Sequence, residues 1–297
     1  MKTSLDCLIC FMRQARSTGM LATDDEHLQR RLIDCAGQFL ATANPELSPP
    51  ENAIGLYTMM ADILKSEDPF AQVKHQSNAS ALLLKKEVEQ QIVTADDPLR
   101  AAIRVAIGGN IIDYAAQHVF DLEKTMKACF TREFVLDDYP SLLQTIQRAQ
   151  EGVEVLYLCD NCGEIVFDAL LIDQLKRRGC RVTAAVRETP IINDATMEDA
   201  LAAGLDKICP VITNGTGCPG TPLAECSAQF QQHFSNADCI ISKGMGNYET
   251  LSDEQANIYF LFTVKCPEVA RHVTAQRKLA KDRLQGTGEM ILMQQSL

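Results

Sequence analysis

From residue 151 onward the chain alternates between short β-rich runs and helical segments, and this alternation restricts the fold more than any other feature of the sequence. "VEVLYLC" leads into the helix "EIVFDALLIDQLKRRG". "CRVTAAV" is followed by the loop "RETPIINDAT" and the helix "MEDALAAG". "KICPVIT", in which Pro210 marks an irregular or edge strand, precedes the loop "NGTGCPGT" and the helix "PLAECSAQFQQHF". "DCIISKG" and "NIYFLFTVK" are the remaining strand candidates, and the tail after them is mixed. Strand and helix in turn, with short loops, indicate a parallel sheet covered by helices on both faces. In such a sheet all strands point the same way. The loops that follow them then open on one edge, where doubly wound folds place their ligands.

Residues 1–150 read differently. "DDEHLQRRLIDCAGQFLATA" sets Leu28, Leu32, Cys35, Phe39 and Leu40 on one helical stripe, with acidic residues at its start. "GLYTMMADILK", "SNASALLLKKEVEQQIVTA" and "DDPLRAAIRVAIGGNIIDYAAQ" are further helices, the second capped by Ser77 or Asn78. No strand is expected here. The reading is therefore an α/β chain, with a helical N-terminal domain over 1–150. An α/β/α, Rossmann-like parallel-sheet domain follows over 151–297.

Composition narrows the partners. The 297 residues carry 28 basic and 39 acidic side chains, a net charge of −11, spread along the chain. That excess repels phosphate backbones, so nucleic acid and anionic membranes are poor partners. No apolar run approaches the roughly 20 residues that span a bilayer. "MKTSLDCLICFM" lacks a secretory cleavage pattern, so the expected location is the cytoplasm, with the 12 cysteines reduced and mostly packed as small apolar residues. The sequence sets no oligomeric state.

The loops on the expected edge hold the chemistry. The first, "DNCGE", places Asp160 and Asn161 at a strand-to-helix switch with Gly163 beside them, where free N–H groups of the helix start suit an anion. Carboxylate and amide oxygens are hard donors for a divalent cation, which recruits phosphate and activates water. Asp194 in the second loop supplies the further carboxylate such a site needs. Both aspartates also suit plain helix caps. Lys243 follows its strand directly and would hold phosphate as a point charge, with Gly244 and Gly246 allowing close approach. The alternative lies in sulfur: Cys7/Cys10 and Cys159/Cys162 are both Cys-x-x-Cys pairs, but their separation does not fit a zinc ribbon. The five histidines form no ligand pair and lie outside the loops. No Walker loop, Gly-x-Ser-x-Gly or dinucleotide-binding glycine motif follows a strand.

Taken together, "LCDNCGEIVFD", "INDATMEDA" and "SKGMGNYETL", with "DCLICFMRQA", "DPFAQVKHQSN", "AIGGNIID" and "FTVKCPEVA", resemble the damage-control phosphatases, formerly domain-of-unknown-function-89, in their prokaryotic branch. The resemblance implies a metal-dependent phosphomonoesterase acting on small phosphorylated metabolites, often sugar phosphates. It implies a divalent metal (Mn, Ni, Co or Mg) on Asp160, Asn161 and Asp194, and Lys243 on phosphate. Asn110 and Asp113 of "GGNIID" match a helical motif facing the site and, with Gly163 and Asn247, complete the expected substrate contacts. Cys162 stands where the family commonly has a smaller residue, which would expose activity to oxidation.

Two other readings stay open. One is a non-catalytic metal- or phosphometabolite-binding protein with redox-sensitive Cys7 and Cys10. The other is an S-adenosylmethionine-dependent carboxyl methyltransferase. For it, Glu188 at the end of the second strand would hold ribose hydroxyls.

Overall fold

The computed structural model describes residues 1–109, 127–147 and 152–295. Among the described residues the chain opens with α1 (Leu5–Ala22), α2 (Glu26–Leu40), α3 (Pro49–Leu64), α4 (Ala71–Val93) and α5 (Pro98–Gly108). Next are β1 (Phe134–Asp137), α6 (Tyr139–Gln147), β2 (Glu154–Leu158), α7 (Glu164–Arg177), β3 (Arg181–Val186) and α8 (Met197–Ala202). The remainder is β4 (Val211–Thr213), α9 (Ala228–Asn236), β5 (Cys239–Lys243), α10 (Met245–Leu251), β6 (Ile258–Val264), α11 (Pro267–Gln276) and β7 (Glu289–Gln294).

The strands form one sheet in the order β1-β7-β6-β5-β2-β3-β4. β2 to β6 are parallel, as the alternation requires, and the chain winds outward on both sides of the β2/β5 pair. Two strands depart from the expected uniform direction: β7 runs antiparallel to β6, and β1 runs parallel to β7. β1 also places a strand within the half expected to be wholly helical. Its four residues are too few to show a period of two, and β7 lies in the tail whose pattern was mixed. β4 is a three-residue edge strand directly after Pro210, since proline cannot donate to a ladder.

Side-chain alternation divides the core in two. Val155 and Tyr157 of β2 enter the layer built by α4, α5 and α7, while Leu156 and Leu158 enter the layer of α9, α10 and α11. α7 is buried along almost its whole length, because α4 and α5 cover the face it turns away from the sheet. Each fully buried Leu or Ile there contributes roughly 1.5–3 kcal/mol. α1, α2 and α3 form a third apolar cluster around Phe11, Leu32, Phe39, Leu56 and Met60. Ile191, from the loop after β3, joins that cluster, and α3 packs on α10. The first three helices therefore lie against the loop edge of the sheet. α3 has the sharpest start, a capping box in which Ser48 and Glu51 each accept from the other's backbone N–H, with prolines in its first turn. No helix among the described residues is long and apolar enough to cross a membrane.

Candidate active site

The turn after β2 and the loop after β3 are joined backbone to backbone. Asn161 and Asp194 form an antiparallel bridge, Cys162 N–H donates to Asn193 O at 2.9 Å, and Ala195 N–H donates to Asp160 O at 2.8 Å. Asp160, Asn161 and Asp194, far apart in sequence, thus stand side by side, each under a tenth exposed. Asn161 donates its amide nitrogen to Asp160 Oδ2 at 2.8 Å and to Glu164 Oε2 at 3.3 Å, which leaves its carbonyl oxygen for a ligand. Gly244 closes the site from β5. A Cβ there would stand 2.0 Å from Asp160 Oδ2, and its φ of +80° already selects glycine.

Around this trio lie four carboxylates (Asp160, Glu164, Asp168 and Asp194) and two cations, Arg187 and Lys243, all nine-tenths buried or more. Counted as ionised, the carboxylates outnumber the cations by two. Burial pushes Asp160 well above the usual carboxylate range, and neighbouring Glu164 and Asp194 push it further. Burial also raises Asp194, although Arg187 pulls it back. Among the described residues no three His, Cys, Asp or Glu side chains converge as metal ligands. The set here is two carboxylates and one amide oxygen, all hard donors, with a local charge deficit of two. These features fit a divalent cation of the Mg²⁺ or Mn²⁺ type.

Arg187, immediately after β3, was not singled out in the sequence and is the organiser of this edge. Its Nε donates to Asp194 Oδ2 at 2.7 Å and its Nη1 to Thr221 Oγ1 and Asn247 Oδ1, both at 3.1 Å. Nη2 lies 3.9 Å from Asp160 Oδ1 and has no hydrogen-bond partner. Burial alone would lower its pKa, but Asp194 and Asp160 more than offset this and raise it.

Three expected substrate contacts take other parts. Lys243 is fully buried: its ammonium donates to Asp168 Oδ1 at 2.7 Å, to Ala106 O at 2.8 Å and to Glu164 Oε1, which engages all three of its N–H groups beneath the loop. Those carboxylates raise its pKa against the pull of burial. Gly163 N–H donates to Asn78 Oδ1 at 2.6 Å and so is not free for phosphate; its φ of +74° and the close approach of Ser77 explain the glycine. Asn247 is wholly buried and acts as a joint, donating to Cys159 O at 3.2 Å and Lys243 O at 2.8 Å while accepting from Arg187 and Thr221. Asn110 and Asp113 lie outside the described residues.

A cavity of about 260 Å³ opens on the trio. Asp160, Asn161 and Asp194 lie in its wall together with Pro50, Ile192, Met245 and Glu249, and Lys265 is the cation lining it among the described residues. Lys265 and Arg187 are the residues directly after β6 and β3, and Lys243 is the last residue of β5, so all three basic residues stand at strand C-terminal ends. Cys7, Cys10, Phe11 and Gln14 of α1 form the opposite wall at helical spacing, which brings the N-terminal Cys-x-x-Cys pair to this edge. Desolvation by the cavity wall raises the Cys10 thiol although the residue is exposed overall, and burial pushes Glu249 up to about 7 against the N-terminal ammonium. Cys162 is 2% exposed behind the loop, a poor position for an oxidant to reach, and the cysteines are free thiols.

Comparison with known proteins identifies the family. The model of the damage-control phosphatase ARMT1-like domain matches residues 3–279. A damage-control phosphatase of Archaeoglobus fulgidus is 37% identical over 278 residues, covering 92% of this chain and 96% of its own. One from Pyrococcus horikoshii is 35% identical over 277 residues, covering 92% and 94%. The crystal structure of a domain-of-unknown-function-89 protein from Pyrococcus horikoshii superposes with a TM-score of 0.88, at 33% identity and across the full length of both chains. With the sheet, the loop edge and nearly the whole length matched, this chain belongs to the damage-control phosphatase family.

Proposed function

We propose that the protein is a metal-dependent phosphatase that hydrolyses small phosphorylated metabolites. The observation that carries this reading is the buried Asp160–Asn161–Asp194 trio with its charge deficit of two, open to a cavity lined by Lys265. The names of the relatives support a phosphatase role.

Asp160, Asn161 and Asp194 would hold the divalent cation, for which Mn²⁺, Mg²⁺, Co²⁺ and Ni²⁺ are the candidates. When bound, such a cation offsets phosphate charge and lowers the pKa of a water molecule. The protein's own groups set the geometry. Arg187 fixes Asp194 through Oδ2. Lys265 attracts the phosphate dianion. Asp160 or Asp194 accepts the proton of the attacking water. In the overall step water adds to phosphorus, the P–O ester bond breaks, and the departing alcohol takes up a proton. Electrostatic stabilisation of the transferring phosphoryl group is the main term in such chemistry.

The test is phosphate release from a panel of sugar phosphates with each metal, before and after chelation. Asp160→Ala is expected to abolish release while retaining the far-UV circular dichroism of the parent. Full activity in EDTA, or undiminished turnover by the folded variant, would sink the proposal. Glu188, the residue on which a methyltransferase would depend, is exposed and accepts from Thr213 Oγ1 at the sheet's outer strand.

A further inference from the structure

One carboxyl in the cavity wall has no part in the aspartate trio or in the ion pairs beneath it. Glu249 lies on α10 and lines the same cavity as Asp160, Asn161 and Asp194. Among the described residues its carboxyl makes no hydrogen bond or ion pair, and its oxygens keep accessible surface. Met245, Gly246 and Glu249 follow helical spacing, so one face of α10 fronts the cavity. That helix starts beside Gly244, which stands against Asp160. Glu249 comes five residues later, about 7 Å along the helix axis. A phosphoryl group at the trio and one hydrogen bond fill that distance.

The groups facing Glu249 set its chemistry. The N-terminal ammonium donates to its backbone carbonyl at 2.8 Å and pairs with Asp253 at 3.1 Å. Besides the two aspartates, Asp6, Cys7 and Cys10 of α1 and Lys265 and Cys266 after β6 share the cavity. α3 brings only uncharged residues, Pro49, Pro50 and Ala53, to this wall. Burial outweighs the ammonium and holds the carboxyl at about 7, so its protonated and ionised forms are both populated at neutral pH. The thiols of Cys10 and Cys266 are both raised, which makes them reluctant proton donors.

We infer that Glu249 is the general acid of this site, the residue that protonates the departing alcohol; the inference rests on the phosphatase reading of the neighbouring trio. The oxygen of water bonds to phosphorus as the P–O ester bond breaks, and the bonding pair leaves with the ester oxygen. Glu249 gives its proton to that oxygen, so a neutral alcohol departs in place of an alkoxide. The proton that Asp160 or Asp194 takes from the water passes to solvent, and Glu249 regains one from solvent. The carboxylate formed in the step is favoured by the N-terminal ammonium beside it. A positioned acid contributes about 10²–10⁴-fold and works best with a pKa near the working pH. Alkyl esters need that proton. Esters of p-nitrophenol do not, because the phenolate leaves unprotonated.

The experiment compares the sugar phosphate that turns over fastest in the panel with p-nitrophenyl phosphate, using metal-loaded full-length wild type and Glu249→Gln. Glutamine has the shape and neutrality of the protonated side chain, so the parent far-UV circular dichroism should be kept. The variant's kcat for the sugar phosphate is expected to fall at least about 100-fold. Its loss on p-nitrophenyl phosphate should be at least about tenfold smaller. Glu249→Asp, which keeps a carboxyl, should recover part of the sugar phosphate activity. In the wild type, kcat/KM for the sugar phosphate should decline as pH rises through about 7, because the acid must be protonated to act. That limb should be missing in Glu249→Gln; ionisation of the substrate is common to both proteins and cancels in the comparison. Equal losses on the two esters, no loss on the sugar phosphate, or a limb that survives in Glu249→Gln overturns Glu249 as the acid and leaves the phosphatase reading standing. No metal-dependent release from either ester by the wild type overturns both.

Discussion

At the scale of single residues, burial sorts two lysines that look alike in sequence. Lys243 ends β5 and Lys265 follows β6, yet the first is sealed among Glu164, Asp168 and Ala106 O while the second is exposed at the cavity. Removing one partner of a buried ion pair leaves the other charge unpaired. Lys243→Met is therefore expected to cost about 3–5 kcal/mol, read by urea denaturation. The loss should be smaller at low pH. Burial lifts Asp168 to about 6, with Lys243 pulling it back. A carboxyl raised in the folded state stabilises below its unfolded pKa, and that contribution disappears as pH rises through the folded value. Without Lys243 that pull is lost and Asp168 holds its proton to higher pH, so the variant's deficit should shrink from pH 8 downward and level off below about pH 6. Lys265→Ala, by contrast, is expected to raise KM for phosphate esters with little change in stability. Gly244→Ala should damage the site directly. It forces a Cβ against Asp160 and strains a backbone position at about 1–3 kcal/mol, and a reduced Mn²⁺ affinity by calorimetry is the expected readout.

At the scale of elements, α4 shows how a cap signal misleads. Ser77 and Asn78 suggested a helix start, but the helix begins at Ala71 and both residues are buried in its interior. Their polarity serves tertiary partners. Asn78 accepts from Gly163 N–H at 2.6 Å and donates to Asp199 Oδ1 at 2.8 Å. Asp199 closes the capping box of α8 and pairs with Lys74 at 3.0 Å. One asparagine thus ties α4 to the turn after β2 and to the helix after Asp194. Asn78→Ala is expected to destabilise by about 1–3 kcal/mol through the orphaned Gly163 N–H and Asp199. It should also weaken Mn²⁺ binding, whereas a purely local defect would leave the affinity unchanged. Local sequence cannot distinguish a capping asparagine from one that reaches a residue 85 positions away.

At the scale of the whole molecule, the helical half and the sheet share their cores. α4 and α5 pack in one cluster with β2, β3 and α7, and β1 pairs with the C-terminal β7. Unfolding is expected to be one cooperative transition, with far-UV circular dichroism and tyrosine fluorescence coinciding. Saturating Mn²⁺ at about 100 times its dissociation constant should stabilise the fold by about 2.7 kcal/mol, a gain absent in Asp160→Ala. The strand–helix alternation of "VEVLYLC", "CRVTAAV" and "DCIISKG" was enough to establish the parallel sheet and the edge on which Asp160, Asn161 and Asp194 meet. Those features follow from a local period of two and from the single direction of β2 to β6. The directions of β1 and β7, the organising part of Arg187, the sealing of Lys243 and the arrival of Gln14 and Cys10 at the cavity were decided only by the tertiary structure. Each depends on which groups are buried together after distant segments pack. Burial determines whether a lysine after a strand meets solvent and substrate or a pair of carboxylates.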